Sequence, residues 1–444
     1  MSAPEASVQV SFKNRAKTAL ADRTLKIAID RTTGTAEAKR AVAVAAFPEF
    51  QDARARGRAI KDHVIAYLDH YLEQFERNAT ASGAKVHWAS DDAEARAIIT
   101  RICLDAKAKL VTRSKSMLGE EIGLPHALAD AGIERVETDL AEHIIQLAGE
   151  APSHIVWPAM HRTREQVAEL FKIAHHPPPA ADDPATMVQS ARRELRAKFL
   201  GADIGISGSN FLVADTGATC TVTDEGNAEL TTTPPRIHIV TAGIEKIVPT
   251  TAHALSLLRL LVRSATGGEL TQYTTFHCGP KRPGDADGPE EMHIVLVDNG
   301  RTRMLANEFR EMLRCIRCGA CMNHCVVYRQ IGGHAYGGTY PGPMGSVLTP
   351  VLNGLAGSRD LPNACTMNGR CAEVCPVEIP IPTLLRAWRI RSWRERLEPG
   401  SLRAGIGIWA VLARRPGLYR LASRIGVRAI RLFGKGGWIA RLPL

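Results

Sequence analysis

The chain carries few of the signals that send a protein into or through a membrane. Residues 1–17 have no apolar core, and their basic residues come late, so no secretory signal is expected. The longest strongly apolar run, residues 404–413, falls far short of the ~20 residues that cross a bilayer. Neither GxGxxG nor GxxxxGK-Ser/Thr follows a strand-like segment, which leaves no Rossmann or P-loop nucleotide signature. No repeat recurs at a solenoid period. Acids are scarce at one end: residues 386–444 hold 14 Arg or Lys and only Glu395 and Glu398. That stretch accounts for all of the net charge of +10, so the basicity is local and not a nucleic-acid-binding character spread over the fold. A cytoplasmic protein is expected, and there clustered cysteines serve as metal ligands before disulfides.

What is present fills a chain of 444 residues, 45% hydrophobic and 23% charged, long enough for two or three domains. Two helical patterns occupy residues 1–50, and a helix carries Ile60, Val64, Leu68, Tyr71 and Phe75 on one face. Short apolar runs then alternate with helical stretches. Strands are expected at 85–89, 109–112, 155–158, 205–214, 218–223, 237–241 and 292–297, and helices from Asp91, around Glu120 and over 252–264. That order predicts an α/β fold with a largely parallel sheet. Residues 224–227 read as a turn joining two strands, 175–184 as a surface loop and 302–313 as a helix running into Cys315.

Seven of the ten cysteines fall in two runs: Cys315-x2-Cys318-x2-Cys321-x3-Cys325 and Cys365-x5-Cys371-x3-Cys375-Pro376. Two-cluster bacterial ferredoxins use this spacing, with the fourth Cys of each run ligating the other cluster. Crosswise ligation gives one complete set, Cys315, Cys318, Cys321 and Cys375. The second set is Cys325, Cys365 and Cys371, with Asn368 where a thiolate is expected. Two iron–sulfur clusters of the 4Fe-4S type are therefore expected. For the three-thiolate site three readings stay open: a 3Fe-4S cluster, a 4Fe-4S cluster with an open iron taking water, substrate or Asn368, or a labile cluster. Zinc would use paired knuckles, with His324 as a candidate ligand, and four cysteines at x2-x2-x3 suit a cubane better. His324 reads as a surface residue, and Cys103, Cys220 and Cys278 as small buried hydrophobes. The 39 residues between Cys325 and Cys365 are rich in Gly, Pro and Tyr and too long for an idle connection.

The α/β part offers weaker candidates. Ser207-Gly208-Ser209-Asn210 and Asp224-Glu225-Gly226-Asn227 are small polar turns at strand ends, where open α/β sheets bind ligands. Arg113 and Lys115 could hold an anion, and Glu225 could act as a carboxylate nucleophile. Arg420, Arg424, Arg428 and Arg431 recur at helical spacing, with Leu421, Ile425, Leu432 and Phe433 off that stripe. Such a basic amphipathic helix suits an acidic partner or peripheral contact with an anionic membrane.

Several longer stretches resemble the lactate utilization protein B family. They include Ser114-Lys115-Ser116-Met117, Glu120-Glu121-Ile122-Gly123-Leu124, Gln146-Leu147-Ala148-Gly149-Glu150 and Ile244-Glu245-Lys246-Ile247-Val248-Pro249-Thr250. Gly279 through Glu291 and the cysteine region continue the likeness. The resemblance implies a LUD domain, related to the sugar-isomerase and CoA-transferase-like superfamily, followed by an α-helical two-cluster ferredoxin-like module. It implies a helical extension at 1–50, the LUD domain at 51–300, the cluster module at 301–390 and a basic helical tail at 391–444. It further implies an electron-carrying subunit of a complex that oxidises L-lactate to pyruvate, beside a cysteine-rich iron–sulfur partner and a smaller LUD partner. A ferredoxin-like adaptor for another 2-hydroxy-acid dehydrogenase is the alternative, and a CoA-transferase-like enzyme using Glu225 is a third.

Overall fold

The computed structural model describes residues 11–431. They fall into two compact units, divided between Trp388 and Arg389.

The first unit is built on a six-stranded, fully parallel sheet. Its strands are β1 (Lys85–Ala89), β2 (Leu110–Arg113), β3 (Glu134–Glu137), β4 (Ile204–Gly208), β7 (Ile237–Gly243) and β10 (Glu291–Val297). The order across the sheet is β1-β10-β7-β4-β2-β3. A second, mixed sheet is formed by β5 (Phe211–Val213), β6 (Ala218–Thr223), β8 (Ile247–Val248) and β9 (Tyr273–His277), in the order β8-β5-β6-β9. The central strands are buried on both faces, so they read as continuous apolar runs. Alternation still sorts their side chains. Ile237 and Ile239 of β7 and Val295 and Val297 of β10 pack with Ile99, Leu118, Leu124 and Leu128 on one face. Val240, Ala242, Met292, Ile294 and Leu296 pack with Val64, Leu68, Leu72 and Phe75 on the other. Each such aliphatic side chain contributes about 1.5–3 kcal/mol by leaving water.

The predicted helix through Ile60 and Phe75 is two helices, Phe50–Ala66 and Leu68–Ala81, broken at Tyr67 (φ −124°, ψ 40°). Both halves keep their apolar stripe on the sheet, so the pattern was continuous although the backbone is not. The single strand expected over 205–214 is β4 and β5, in different sheets. Between them the Ser209 hydroxyl donates to Phe211 O (2.7 Å) and the Asn210 amide donates to Cys220 O (2.8 Å). Residues 224–227 lead into a short helix, Asn227–Thr232, and not directly into a strand; Gly226 supplies the left-handed turn (φ 71°). Residues 155–158 form no strand, because His154 Nδ1 accepts from the amides of Val156 and Trp157 (3.0 and 3.1 Å) and curls the chain. The helix expected over 302–313 is a short helix, Arg301–Leu305, and a 3-10 turn, Arg310–Arg314. Asn307 Oδ1 accepts from the Phe309 amide between them (2.8 Å).

The two N-terminal helices, Phe12–Ala21 and Arg23–Ala45, pack against the cysteine region. Arg15 Nε donates to Ala335 O and Arg40 Nη2 to Val374 O, each at 3.0 Å. Arg54 Nε, from the next helix, donates to Cys375 O (3.0 Å). Cys103 and Cys220 are buried as expected, but Cys278 is exposed, because it follows the edge strand β9. In the second unit, helices Gly400–Ala413 and Pro416–Arg431 carry Ile408, Trp409, Leu421 and Ile425 exposed. Leu432, Phe433 and the Arg431 side chain lie outside the described residues. No described helix is long and apolar enough to cross a membrane.

Candidate functional site: two cysteine loops and a sheet-end cavity

The two cysteine runs fold alike. Counting from the first Cys of each, the third residue is a non-glycine with positive φ, Arg317 (61°) and Met367 (62°). The fifth is a left-handed glycine, Gly319 (74°) and Gly369 (84°), which starts a four-residue helix, Ala320–Asn323 or Arg370–Glu373. Strained left-handed residues of this kind cost about 1–3 kcal/mol each and persist where surrounding structure imposes them. Backbone amides of the module point at the sulfurs. The Met367 amide donates to Cys365 Sγ (3.3 Å), Tyr328 to Cys325 Sγ (3.5 Å) and Ile379 to Cys375 Sγ (3.4 Å).

Cys315, Cys318, Cys321 and Cys375 line one small apolar cavity, closed by Ile155, Met312, Met344 and Ile379. Cys325, Cys365 and Cys371 form the second group, near enough that the charge on one raises the pKa of another. Burial pushes the thiols up, Cys371 to about 12 and Cys375 to about 11, with neighbouring thiols adding to it. Thiolates buried together need a cation among them, and a coordinated metal deprotonates a thiol outright. The donor set therefore fits iron–sulfur clusters. Among the described residues, no three His, Cys, Asp or Glu side chains converge on a single-ion site. Asn368 is exposed, and its Oδ1 accepts from the Arg370 amide (3.2 Å), so it is turned to its own loop. His324 is buried, contrary to the surface position expected of it. Its Nδ1 bonds Ala320 O (2.9 Å) within the loop helix. Residues 151–154 pack under this module: Tyr328 OH donates to Ser153 O (2.7 Å), and His334 Nε2 bonds Ala151 O (2.8 Å).

A cavity of about 310 Å³ with mixed polar and apolar walls opens at the carboxyl ends of β2, β4 and β7, where open parallel sheets bind ligands. Ser116, Ser209, Asn210 and Thr241 furnish its uncharged polar wall. One end holds Lys115, Asp139 and Glu225. Lys115 Nζ donates to Val156 O (2.9 Å) and stands 3.4 Å from Asp139 Oδ2. Glu225 Oε2 accepts from the Leu140 amide (3.0 Å), and burial, then Asp139, raises its pKa. Arg113 is not available to a ligand. It is 1% exposed and paired with Glu120 and Glu137 (Nη2 to Glu137 Oε1, 2.6 Å).

The other end holds Glu245, Lys246, Arg301, Arg317 and Tyr340, none of which stood out as a site candidate in the sequence. Arg301 grips Glu121 with two bonds (2.8 and 2.9 Å) and Glu245 with its Nε. Arg317, from the loop between Cys315 and Cys318, reaches Glu245 Oε1 (3.2 Å) and lies 4.6 Å over the Tyr340 ring. Burial opposes a charge on Glu245, but Arg301, Arg317 and Lys246 outweigh it and hold its pKa at about 2. Gly243 has to be glycine here. A Cβ would stand 2.2 Å from Glu245 Oε2 and 2.6 Å from Arg301 Nε. The sequence clues to this corner were the family-like stretches that hold Glu121 and Glu245-Lys246, and the position of Arg317 inside a cysteine loop.

Residues 72–297 match the LUD domain and residues 311–379 the 4Fe-4S dicluster domain. Lactate utilization protein B of Bacillus licheniformis is 40% identical over 436 residues, 97% of this chain and 91% of its own. The chain belongs to the lactate utilization protein B family. The Bacillus thuringiensis protein of that name is 39% identical over 433 residues, covering 97% and 91%. An Escherichia coli K12 relative, the uncharacterized electron transport protein YkgF, is 41% identical over 428 residues, covering 96% and 90%. Membership of the family and the dicluster match together make this an iron–sulfur protein, with a LUD-type α/β fold and a helical cluster module.

Proposed function

We propose that this chain is the iron–sulfur electron-transfer subunit of a cytoplasmic, multi-component assembly that oxidises L-lactate to pyruvate. Lactate releases two electrons and two protons in that conversion, and cubane clusters carry electrons singly, so two clusters in one chain make a conduit. Cys315, Cys318, Cys321 and Cys375 hold a 4Fe-4S cluster in this reading. Cys325, Cys365 and Cys371 hold the second, which has no fourth thiolate because residue 368 is Asn, turned to its own loop. A cysteine-rich iron–sulfur protein and a smaller LUD protein are the other components. The basic helix Pro416–Arg431 docks peripherally on an anionic membrane surface, with the exposed aliphatic side chains of both tail helices and Trp409 at the lipid interface. The reading divides the chain into a helical extension (1–50), a LUD domain (51–300), a cluster module (301–390) and the tail.

The observation that carries this reading is Arg317. One loop supplies both two thiolates of the complete set and, through Arg317, a wall of the sheet-end cavity, so the first cysteine group and the cavity share a loop. A ferredoxin-like adaptor that never meets a substrate has no need of that joint. The test is complementation of a bacterium that lacks its own lactate utilization protein B and cannot grow on L-lactate. The wild-type gene, expressed with its partner genes, restores growth, and Cys318→Ala does not. Growth with Cys318→Ala would sink the electron-transfer assignment.

A further inference from the structure

Lys246 ends the 3-10 turn Ile244–Lys246 just after β7, and its side chain lines the sheet-end cavity. Most charges around it are already spoken for. Glu245 is taken by Arg301 and Arg317, and Glu121 by Arg301 and the Tyr340 hydroxyl (2.6 Å). Buried Lys61 donates to the Glu245 carbonyl. Lys246 makes no hydrogen bond or ion pair with any described residue. The Arg317 Nη1 meets only the Met344 thioether (3.0 Å), a weak acceptor. This corner thus sets four cations, Lys61, Lys246, Arg301 and Arg317, against two carboxylates, Glu121 and Glu245.

Excess positive charge beside a ligand-sized cavity calls for an anion. The far end limits which anion. Asp139, Asp224 and Glu225 line it, with only Lys115 in opposition, so a second negative charge is disfavoured there. Ser116 and the Asn210 amide group also line the cavity and suit a hydroxyl or carbonyl oxygen. We propose that Lys246 and Arg317 form the carboxylate-holding pole of a site for a small 2-hydroxy or 2-oxo monocarboxylate. Arg317 fits the role because its Nη1 meets only a thioether while Nη2 holds Glu245, and its place between Cys315 and Cys318 sets the ligand beside the first cysteine loop. The inference deepens the lactate reading and rests on it for the choice of ligand.

The rival use of this charge is to balance an iron–sulfur cluster at Cys315 without binding anything. Titration of the anaerobically purified, cluster-loaded full chain separates the two. Oxamate, pyruvate and succinate serve as probes, followed by calorimetry and by the EPR spectrum of the dithionite-reduced clusters. Oxamate and pyruvate bind, succinate binds at least tenfold more weakly, and oxamate alters the spectrum of one cluster. Lys246→Met loses at least tenfold in oxamate affinity with iron and sulfide content unchanged, and Lys246→Arg recovers most of it. Unchanged oxamate affinity in Lys246→Met, with only a shifted reduction potential, overturns the proposal in favour of charge balance. No carboxylate binding by a loaded wild-type chain whose assembled complex oxidises lactate also overturns it, and leaves the lactate function standing. Binding of oxamate by a chain whose complex ignores lactate retains the site and removes the lactate function.

Discussion

Replacing Arg301 with Met tests the joint between the sheet and the first cysteine loop. Arg301 is 2% exposed and serves two buried carboxylates, Glu121 and Glu245. Removing one member of a buried ion network costs about 3–5 kcal/mol, because the charges left behind are desolvated and unpaired. The unit of residues 1–388 unfolds with an entropy of about 0.8 kcal/mol/K, at roughly 2.1 cal/mol/K per residue. The expected loss in Tm is therefore about 4–6 °C at pH 7, read by far-UV circular dichroism on cluster-loaded protein. The loss depends on pH. Glu245 has its folded pKa lowered to about 2 from an ordinary 4.5, so its stabilisation is fully present above about 4.5 and fades as pH falls through 2. Without Arg301 that lowering shrinks. The gap between variant and wild type is then full at pH 7 and narrows as pH drops below about 4.5. Combining Arg301→Met with Glu121→Gln costs less than the sum of the two, because one partner's stranded charge is gone. A Tm within 1 °C of wild type at pH 7, or a gap that widens in acid, would refute the assignment of this network as a structural tie.

Asn368→Cys supplies the missing thiol at the position matching Cys318, and iron content is expected to rise toward about eight per chain with slower loss in air; an unchanged iron-to-protein ratio would show that no fourth thiolate is wanted there. Gly205→Ala sets a Cβ 1.8 Å from Thr231 O, so it is expected to destabilise by about 1–3 kcal/mol or more, seen as a lower Tm or loss of soluble protein. Changing Arg420, Arg424 and Arg428 together to Gln is expected to abolish co-sedimentation with phosphatidylglycerol vesicles at low salt and to leave iron content intact. Equal sedimentation of the variant, or binding insensitive to 0.5 M salt, would rule out the anionic-membrane reading of the tail.

The parts of this molecule legible in the sequence are those set by local pattern. β1 and β6 carry their expected bounds because each is a compact β-prone run closed by turn residues. β3 was missed because Glu134-Arg135-Val136-Glu137 is short and charged, and parallel pairing with β2 compensates for its poor propensity. β9 was missed although Tyr273-Thr274-Thr275-Phe276 has strand character. It is an edge strand with little burial to mark it. The spacing of the cysteines announced two groups, and the Asn368 gap with them. What stayed hidden was contact at long range. Nothing in residues 12–45 foretells that Arg15 and Arg40 cap carbonyls of the cysteine region, some three hundred residues on. Arg113 ends strand β2 and Arg317 sits in a cysteine loop, yet the first is locked between carboxylates and the second opens onto a cavity. Only the partners brought by folding tell them apart.

The two cysteine loops share their turn geometry although only one carries four thiols. Arg317 and Met367 differ by one degree in φ, and Gly319 and Gly369 both take the left-handed region. If ligation imposed those dihedrals, the loop lacking its second Cys would have relaxed away from them. Here Asn368 Oδ1 holds the Arg370 amide, and the loop helix still starts at Gly369. The turn therefore does not need the second thiol of the run; Gly369 and the Asn368–Arg370 hydrogen bond hold it in that thiol's place. A turn of this kind tolerates the loss of one ligand without collapse, which separates two properties usually lost together. The chain can keep a folded second site while changing what its iron meets there. The first site has no such freedom, because its loop also anchors Arg317 to Glu245 and so to the sheet. Substitutions in the first loop should disturb the cavity and the cluster at once, whereas substitutions at Asn368 should touch the second cluster alone.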